Sequence, residues 1–125
     1  MLAQEVYDTI TTHLRKQGHK SLLQNQLVSH LSGKTVICAY RGAGEDKCAA
    51  GILIGNDDYK QTMEGISWYD VCRWLSNASE LREHEDLIIS MQNIHDNYEV
   101  DHWEAMFNKV AIKYELTYTP PQATP

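Results

Sequence analysis

The chain has 125 residues, 42% hydrophobic and 22% charged, which suits one domain whose core needs neither disulfide nor metal. Its 11 Lys and Arg stand against 17 Asp and Glu, a net charge of −6 with no basic run, which argues against a nucleic-acid polymer as partner. The three cysteines are an odd number, no stretch reaches the ~18 apolar residues of a membrane span, and the N-terminus is amphipathic rather than signal-like. A cytoplasmic protein with reduced thiols and no membrane partner is expected.

Leu2, Val6, Ile10 and Leu14 recur every four residues, with Tyr7 beside them, and predict an amphipathic helix over 2–17. Gly18 sits at its C-terminal end, with Arg15 and Lys16 in the last turn. His13 and His19 are read as solvent-facing and without a role. Leu22, Leu23, Leu27, Val28 and Leu31 suit a short helix over 20–34, stopped by Gly33, with His30 as an ordinary helix-end histidine. Thr35, Val36, Ile37 and Tyr40 favour a strand, and residues 42–46 a polar turn. Cys48 to Ile54 reads either as a strand closing a hairpin or as a short helix starting at Lys47 or Cys48. The helix is preferred because alanine is a poor strand former.

Tyr59 to Ile66 reads as loop. Ser67 and Asp70 resemble a capping box for a helix over 68–76 whose buried face is Trp68, Val71, Cys72 and Leu75, with Trp74 pointing elsewhere. A long helix is expected at about 80–98 with a break near His84, and a last one at about 102–115 carrying Trp103, Met106, Phe107, Val110 and Tyr114. The fold class is therefore α+β, mainly α: four to five helices around a strand-turn-helix, or β-hairpin, element at 35–54. Residues 1–116 form one domain on this reading, and the proline-containing stretch 117–125 is a disordered tail.

Cys38-x-Tyr40-Arg41-Gly42, then Lys47-Cys48-Ala49-x-Gly51-x-Leu53-Ile54, then Tyr59 and Met63-Glu64-Gly65, are followed by Met91-Gln92-Asn93-Ile94-His95-Asp96 and by Trp103. This set resembles a group of small, functionally uncharacterised proteins from phages and bacteria. Gln17-Gly18 and Lys20-Ser21 fit the same pattern. The chain departs from it in a longer connection between Ser21 and Cys38, and in Asn56-Asp57 where a proline turn is expected. The resemblance implies a phage or prophage origin and an infected or lysogenic bacterial host. It implies no mechanism and no catalytic residues.

The residues support a ligand site better than a catalytic one. Arg41 and Lys47 flank a glycine turn, and arginine offers a bidentate fork to phosphate or carboxylate. The competing structural reading is a turn whose Arg41 pairs with an acid such as Glu64. Tyr40 and Trp68 could stack on a ring, and Trp74 was weighed for the same role. With Cys48, Glu64, His95 and Asp96 these residues form the expected site. One wall is the 38–54 turn, and the other is the 80–98 helix through His95. The turn is no Walker loop, since it lacks G-K-[ST] and carries Glu45 and Asp46.

No metal or other cofactor is expected, because Cys38, Cys48, Cys72 and His95 lack the spacing of a zinc site. The expected function is an accessory binding protein, not an enzyme, that counters a host process by sequestering a small anionic, nucleotide-like signal. Two alternatives stand beside it. One is an inhibitor of a host protein, or a symmetric homo-oligomer, that uses the surface aromatics Tyr7, Tyr69, Trp74 and Tyr118. The other is a cysteine-dependent hydrolase using Cys48 and His95. Against it, His95 and Asp96 leave a helix about 100° apart, so Asp96 is not expected to orient the imidazole.

Overall fold

The computed structural model describes residues 2–23, 37–42 and 44–121. Within these residues the protein is mainly helical. Helix α1 spans Ala3–Gln17 and buries Val6, Tyr7, Ile10, Thr11 and Leu14 on one face. The stripe starts one turn later than expected, because Leu2 is the N-cap and is 71% exposed. Its backbone N–H donates to the Glu5 carboxylate (2.8 Å), which places a negative charge at the positive end of the helix dipole. Gly18 ends α1 at φ 73°, with its N–H on the Leu14 carbonyl at 2.9 Å.

The next element differs from the helix expected over 20–34. Leu22–Leu23 is a strand, β1, antiparallel to β2 at Ile37–Cys38, with Leu22 opposite Cys38 and Leu23 opposite Ile37. Ala39 extends the pairing by donating its N–H to the Ser21 carbonyl at 2.9 Å. The rest of that expected helix, with His30 and Gly33, and the start of the expected strand lie outside the described residues. A single antiparallel bridge then joins Arg41 to Lys47. The chain next turns at 49–50 into a 3-10 helix, Gly51–Leu53, which starts later than the short helix expected from Lys47 or Cys48. Its buried side is the run of small residues Ala49, Ala50 and Gly51, which lets it lie against the Tyr40 backbone.

The expected loop 59–66 contains a 3-10 turn at Gln61–Met63, with Met63 buried. Helix α2, Trp68–Val71, tightens into a 3-10 turn at Cys72–Trp74. Trp68, Val71, Cys72 and Leu75 are buried, the face read from the sequence, and Trp74 is 57% exposed. Ser67 does not cap α2 through its hydroxyl, which reaches Asp70 at 3.4 Å instead. The long 80–98 segment is divided at Glu83 and His84 into α3, Ala78–Arg82, and α4, Glu85–Asn97. Helix α5 spans Trp103–Lys113.

Helix α4 packs against both α1 and α5. Tyr7 crosses the core and donates its hydroxyl to the Phe107 carbonyl at 3.0 Å. Arg15 on α1 makes a forked contact with Glu104 on α5 (2.9 and 2.7 Å). Burial works to raise the pKa of Glu104, but the Arg15 and Tyr118 hydrogen bonds outweigh it and hold the carboxyl below its ordinary value. Residues Thr117 and Thr119 of the tail are hydrogen-bonded to α1. The Thr117 N–H and carbonyl both bond the Gln4 amide, and the Thr119 carbonyl accepts from Arg15. Residues 122–125 lie outside the described residues. Among the described residues, no helix is long and apolar enough to cross a membrane.

Candidate functional site

The bridge between Arg41 and Lys47 makes a short two-stranded ribbon that docks on the end of α1. Gln17 holds it with both ends of its amide: the Lys47 N–H donates to Oε1 (2.8 Å), and Nε2 donates to the Lys47 carbonyl (3.0 Å). His13 donates from Nε2 to the same carbonyl at 2.8 Å. His13 is therefore half-buried and structural, not solvent-facing, and burial pulls its pKa below the ordinary value. His19 stays exposed and pairs with Asp46 at 2.8 Å.

Side chains alternate across a ribbon, so Tyr40 and Arg41 face opposite ways. A cavity lies on each side. Arg41 and Lys47 line one of about 640 Å³, with Lys16 and Gln17 from α1 and Ile52 and Asn56 beyond the ribbon. Tyr40 and Cys48 line another of about 310 Å³, with Cys38, Trp68, Gln92 and Asp96. The expected ligand residues are thus divided between two sites.

Glu64 and His95 serve as supports behind the walls. The Glu64 carboxylate accepts the backbone N–H groups of Tyr40 (2.9 Å) and Arg41 (3.0 Å) and the hydroxyl of Tyr59 (2.6 Å). The proposed ion pair with Arg41 is replaced by this clamp on the Arg41 backbone. The Arg41 guanidinium instead donates to the Ile54 carbonyl at 3.0 Å and lies 4.5 Å from the Tyr59 ring centroid. Its Nε is buried without a hydrogen-bond partner, and among the described residues no carboxylate pairs with it.

His95 is fully buried. The Ser21 backbone N–H donates to its Nε2 at 2.8 Å, so that nitrogen carries the lone pair. The ring proton is on Nδ1 and is donated to Asp96 Oδ1 at 2.8 Å. The expectation that Asp96 could not orient His95 is therefore wrong. The 100° between neighbouring Cβ directions does not matter here, because a short carboxylate and the ring nitrogen nearer the backbone still meet. Gln92, one turn earlier, donates to the same Asp96 oxygen at 2.7 Å and accepts from the Ala50 N–H at 2.9 Å. Sequence reasoning missed Gln92 and Gln17 as positioning residues. The Gln92/Asp96 spacing of four on one helix was the available signal for the first.

The surroundings of Cys48 disfavour its thiolate. Cys48 is buried, and burial pushes its thiol far above the ordinary value; its sulfur accepts the Gly51 N–H at 3.3 Å. It is a packed thiol, not a nucleophile activated by a helix terminus. Cys72 is also buried and raised by burial, and it lies beside Glu85 (3.7 Å). The donor atoms that do cluster, within 4.8 Å of one another, belong to Cys38, His95 and Asp96. A metal there would need a lone pair on Nδ1, where the proton sits, and would turn Nε2 into a donor facing the Ser21 N–H. Of the aromatics expected at the surface, Tyr69 (53%) and Trp74 are exposed, Tyr7 is buried, and Tyr118 donates to Glu104 at 2.9 Å.

The buried thiol and phenols set an alkaline limit on stability. Burial raises Cys48, Tyr40 and Tyr59 above their ordinary values of 9.0 and 10.0, so the unfolded chain loses these protons at lower pH than the folded one. Their contribution is complete below pH 9.0 and is lost as pH rises beyond it. The melting temperature should be flat from above the ordinary His13 value of 6.5 up to that point and then fall. Thermal scans in buffers on either side of it check this, and a melting temperature that rises with alkalinity would contradict it.

No protein-family model, curated protein or solved structure matches this chain.

Proposed function

We propose that the protein binds a small phosphate-bearing or carboxylate-bearing ligand in the cavity at Arg41, Lys47 and Lys16. The observation that supports this reading is the state of Arg41. Its backbone is clamped by Glu64, its guanidinium is held by Tyr59 and the Ile54 carbonyl, and its charge has no carboxylate partner among the described residues. An arginine fixed in this way loses little side-chain freedom on meeting an anion and can present two parallel donors. Lys47 is its bridge partner and projects to the same face, while Lys16 reaches the cavity from α1. Glu45 and Asp46 also line the cavity; Asp46 is paired with His19, and Glu45 is exposed to solvent.

The resemblance to small phage proteins makes a nucleotide-like host signal the ligand class to test first, with sequestration as the activity. Isothermal titration against pyrophosphate, ADP and cyclic nucleotides is the experiment. Binding is expected for at least one of them, weakened about tenfold or more, roughly 1.4 kcal/mol, by Arg41→Met. No heat from any of these ligands, or equal affinity in the variant, would overturn the reading.

A further inference from the structure

The smaller cavity has the opposite charge. Among the described residues Asp96 is its only charged side chain, no lysine or arginine lines it, and His95 behind it is held as the neutral tautomer by its two hydrogen bonds. Both hydrogen bonds that fix the Asp96 carboxylate, from His95 and Gln92, end on Oδ1. Oδ2 has no hydrogen-bond partner among the described residues, and the side chain is 34% exposed. Trp68 lines the same cavity and is 4% exposed, and its indole N–H is buried with no acceptor. Among the described residues the cavity therefore holds one unused strong acceptor, and an indole N–H without an acceptor lies buried in its wall.

Tyr40 and Trp68 supply the apolar surface, with ring centroids 6.3 Å apart and planes tilted by 47°. The Tyr40 hydroxyl is already donated to the Ile66 carbonyl at 2.5 Å, so this ring offers a face rather than a polar contact. The volume, about 310 Å³, lies at the small end of ligand pockets and suits a single heterocycle.

We propose that this cavity is a second binding site, for a planar heterocycle of nucleobase size with an amidine edge, meaning an amino group beside a ring nitrogen. The amino N–H donates to Asp96 Oδ2, the ring nitrogen accepts from the Trp68 indole N–H, and the ring lies against Tyr40 and Trp68. This edge occurs in cytosine, adenine and 2-aminopyrimidine, whereas 1,3-dimethyluracil, a ring of similar size, has no N–H to donate. The Gln92–Asp96–His95 chain, tied to Ala50 and Ser21, holds the acceptor in place before the ligand arrives. Cys38 sits at the same wall and gives the site a chemical reporter.

Calorimetric titration with cytosine, adenine, 2-aminopyrimidine and 1,3-dimethyluracil tests this, with iodoacetamide alkylation of Cys38 read by mass spectrometry in parallel. The expected result is binding of at least one amidine-bearing probe, with 1,3-dimethyluracil at least tenfold weaker and Cys38 alkylation slowed at least threefold by the bound probe. Asp96→Asn, which keeps the volume and one carbonyl oxygen, should weaken binding at least tenfold, and Trp68→Phe should also weaken it. Arg41→Met should leave it unchanged, which separates this site from the anion cavity. If Asp96→Asn does not fold, Trp68→Phe decides. No heat from any amidine probe, 1,3-dimethyluracil binding as well as cytosine, undiminished binding in the folded variants, or unprotected Cys38 would overturn the proposal.

Discussion

Gly51→Ala is expected to unfold the protein or to cost more than about 3 kcal/mol. A Cβ at this position would lie 2.1 Å from the Tyr40 carbonyl oxygen, 2.9 Å from its carbonyl carbon and 3.2 Å from its Cα. All three are backbone atoms, so no side chain can swing away to make room. The two segments are held at this separation by neighbouring contacts. The Cys48 N–H reaches the Tyr40 carbonyl, and Glu64 fixes the Tyr40 N–H. Relief would require the ribbon to part from the 3-10 turn, which would open both cavities. Gly55→Ala is the control, since a Cβ there meets nothing within 4 Å. It should change stability by no more than about 0.5 kcal/mol. Urea unfolding of both variants measures the difference, and a Gly51→Ala protein within about 1 kcal/mol of the parent would contradict this packing.

His95→Ala should be the most costly change outside the glycines, at about 3–5 kcal/mol. The ring is fully buried and stacks near Trp103, with centroids 5.8 Å apart. Truncation leaves a hole there and strands two polar groups, the Ser21 N–H and the Asp96 carboxylate. Burial of an unpaired N–H and of a less supported carboxylate adds to the cavity cost. His95→Phe separates the contributions: it refills the space but cannot accept from Ser21, so it should recover only part of the loss. Equilibrium unfolding of the two variants checks this. A His95→Ala protein as stable as the parent would show that the imidazole is not the link between α4 and the segment leading into β1.

Sequence periodicity showed the helices well and the ribbon poorly, and the reasons are physical. Val6, Ile10 and Leu14, closed by Gly18, mark α1 through contacts within one local segment. The same local logic located α4, α5 and the break at His84. Leu22 and Leu23 were misread because two adjacent leucines carry no period of their own. Their strand state depends on pairing with Ile37 and Cys38, which are distant in sequence. Cys48 to Ile54 reads as a short helix and forms a shorter, 3-10 one at Gly51–Leu53, where Gly51 lets it approach the Tyr40 backbone closely.

The candidate site was legible as a set of residue types but not as an arrangement. Tyr40 and Arg41 are adjacent in sequence, and ribbon alternation sends them into different cavities. Glu64 was expected to meet the Arg41 side chain and meets its backbone instead. Cys38, absent from the expected ligand set, lines the cavity with Asp96, whereas Cys48, the residue singled out for reactivity, is buried and has its thiolate disfavoured.

The central claim is that the ribbon presents Arg41, which has no carboxylate partner among the described residues, to one cavity and Tyr40 to another, with the opposite ligand preferences we propose for them. Side-chain NMR of the labelled protein tests it most directly, by following the Arg41 guanidinium and Trp68 indole N–H signals during titration with pyrophosphate and, separately, with cytosine. Pyrophosphate should move the Arg41 signal and leave Trp68 in place, and cytosine should do the reverse. Pyrophosphate that leaves Arg41 unmoved, or one probe that shifts both signals together, would contradict the account.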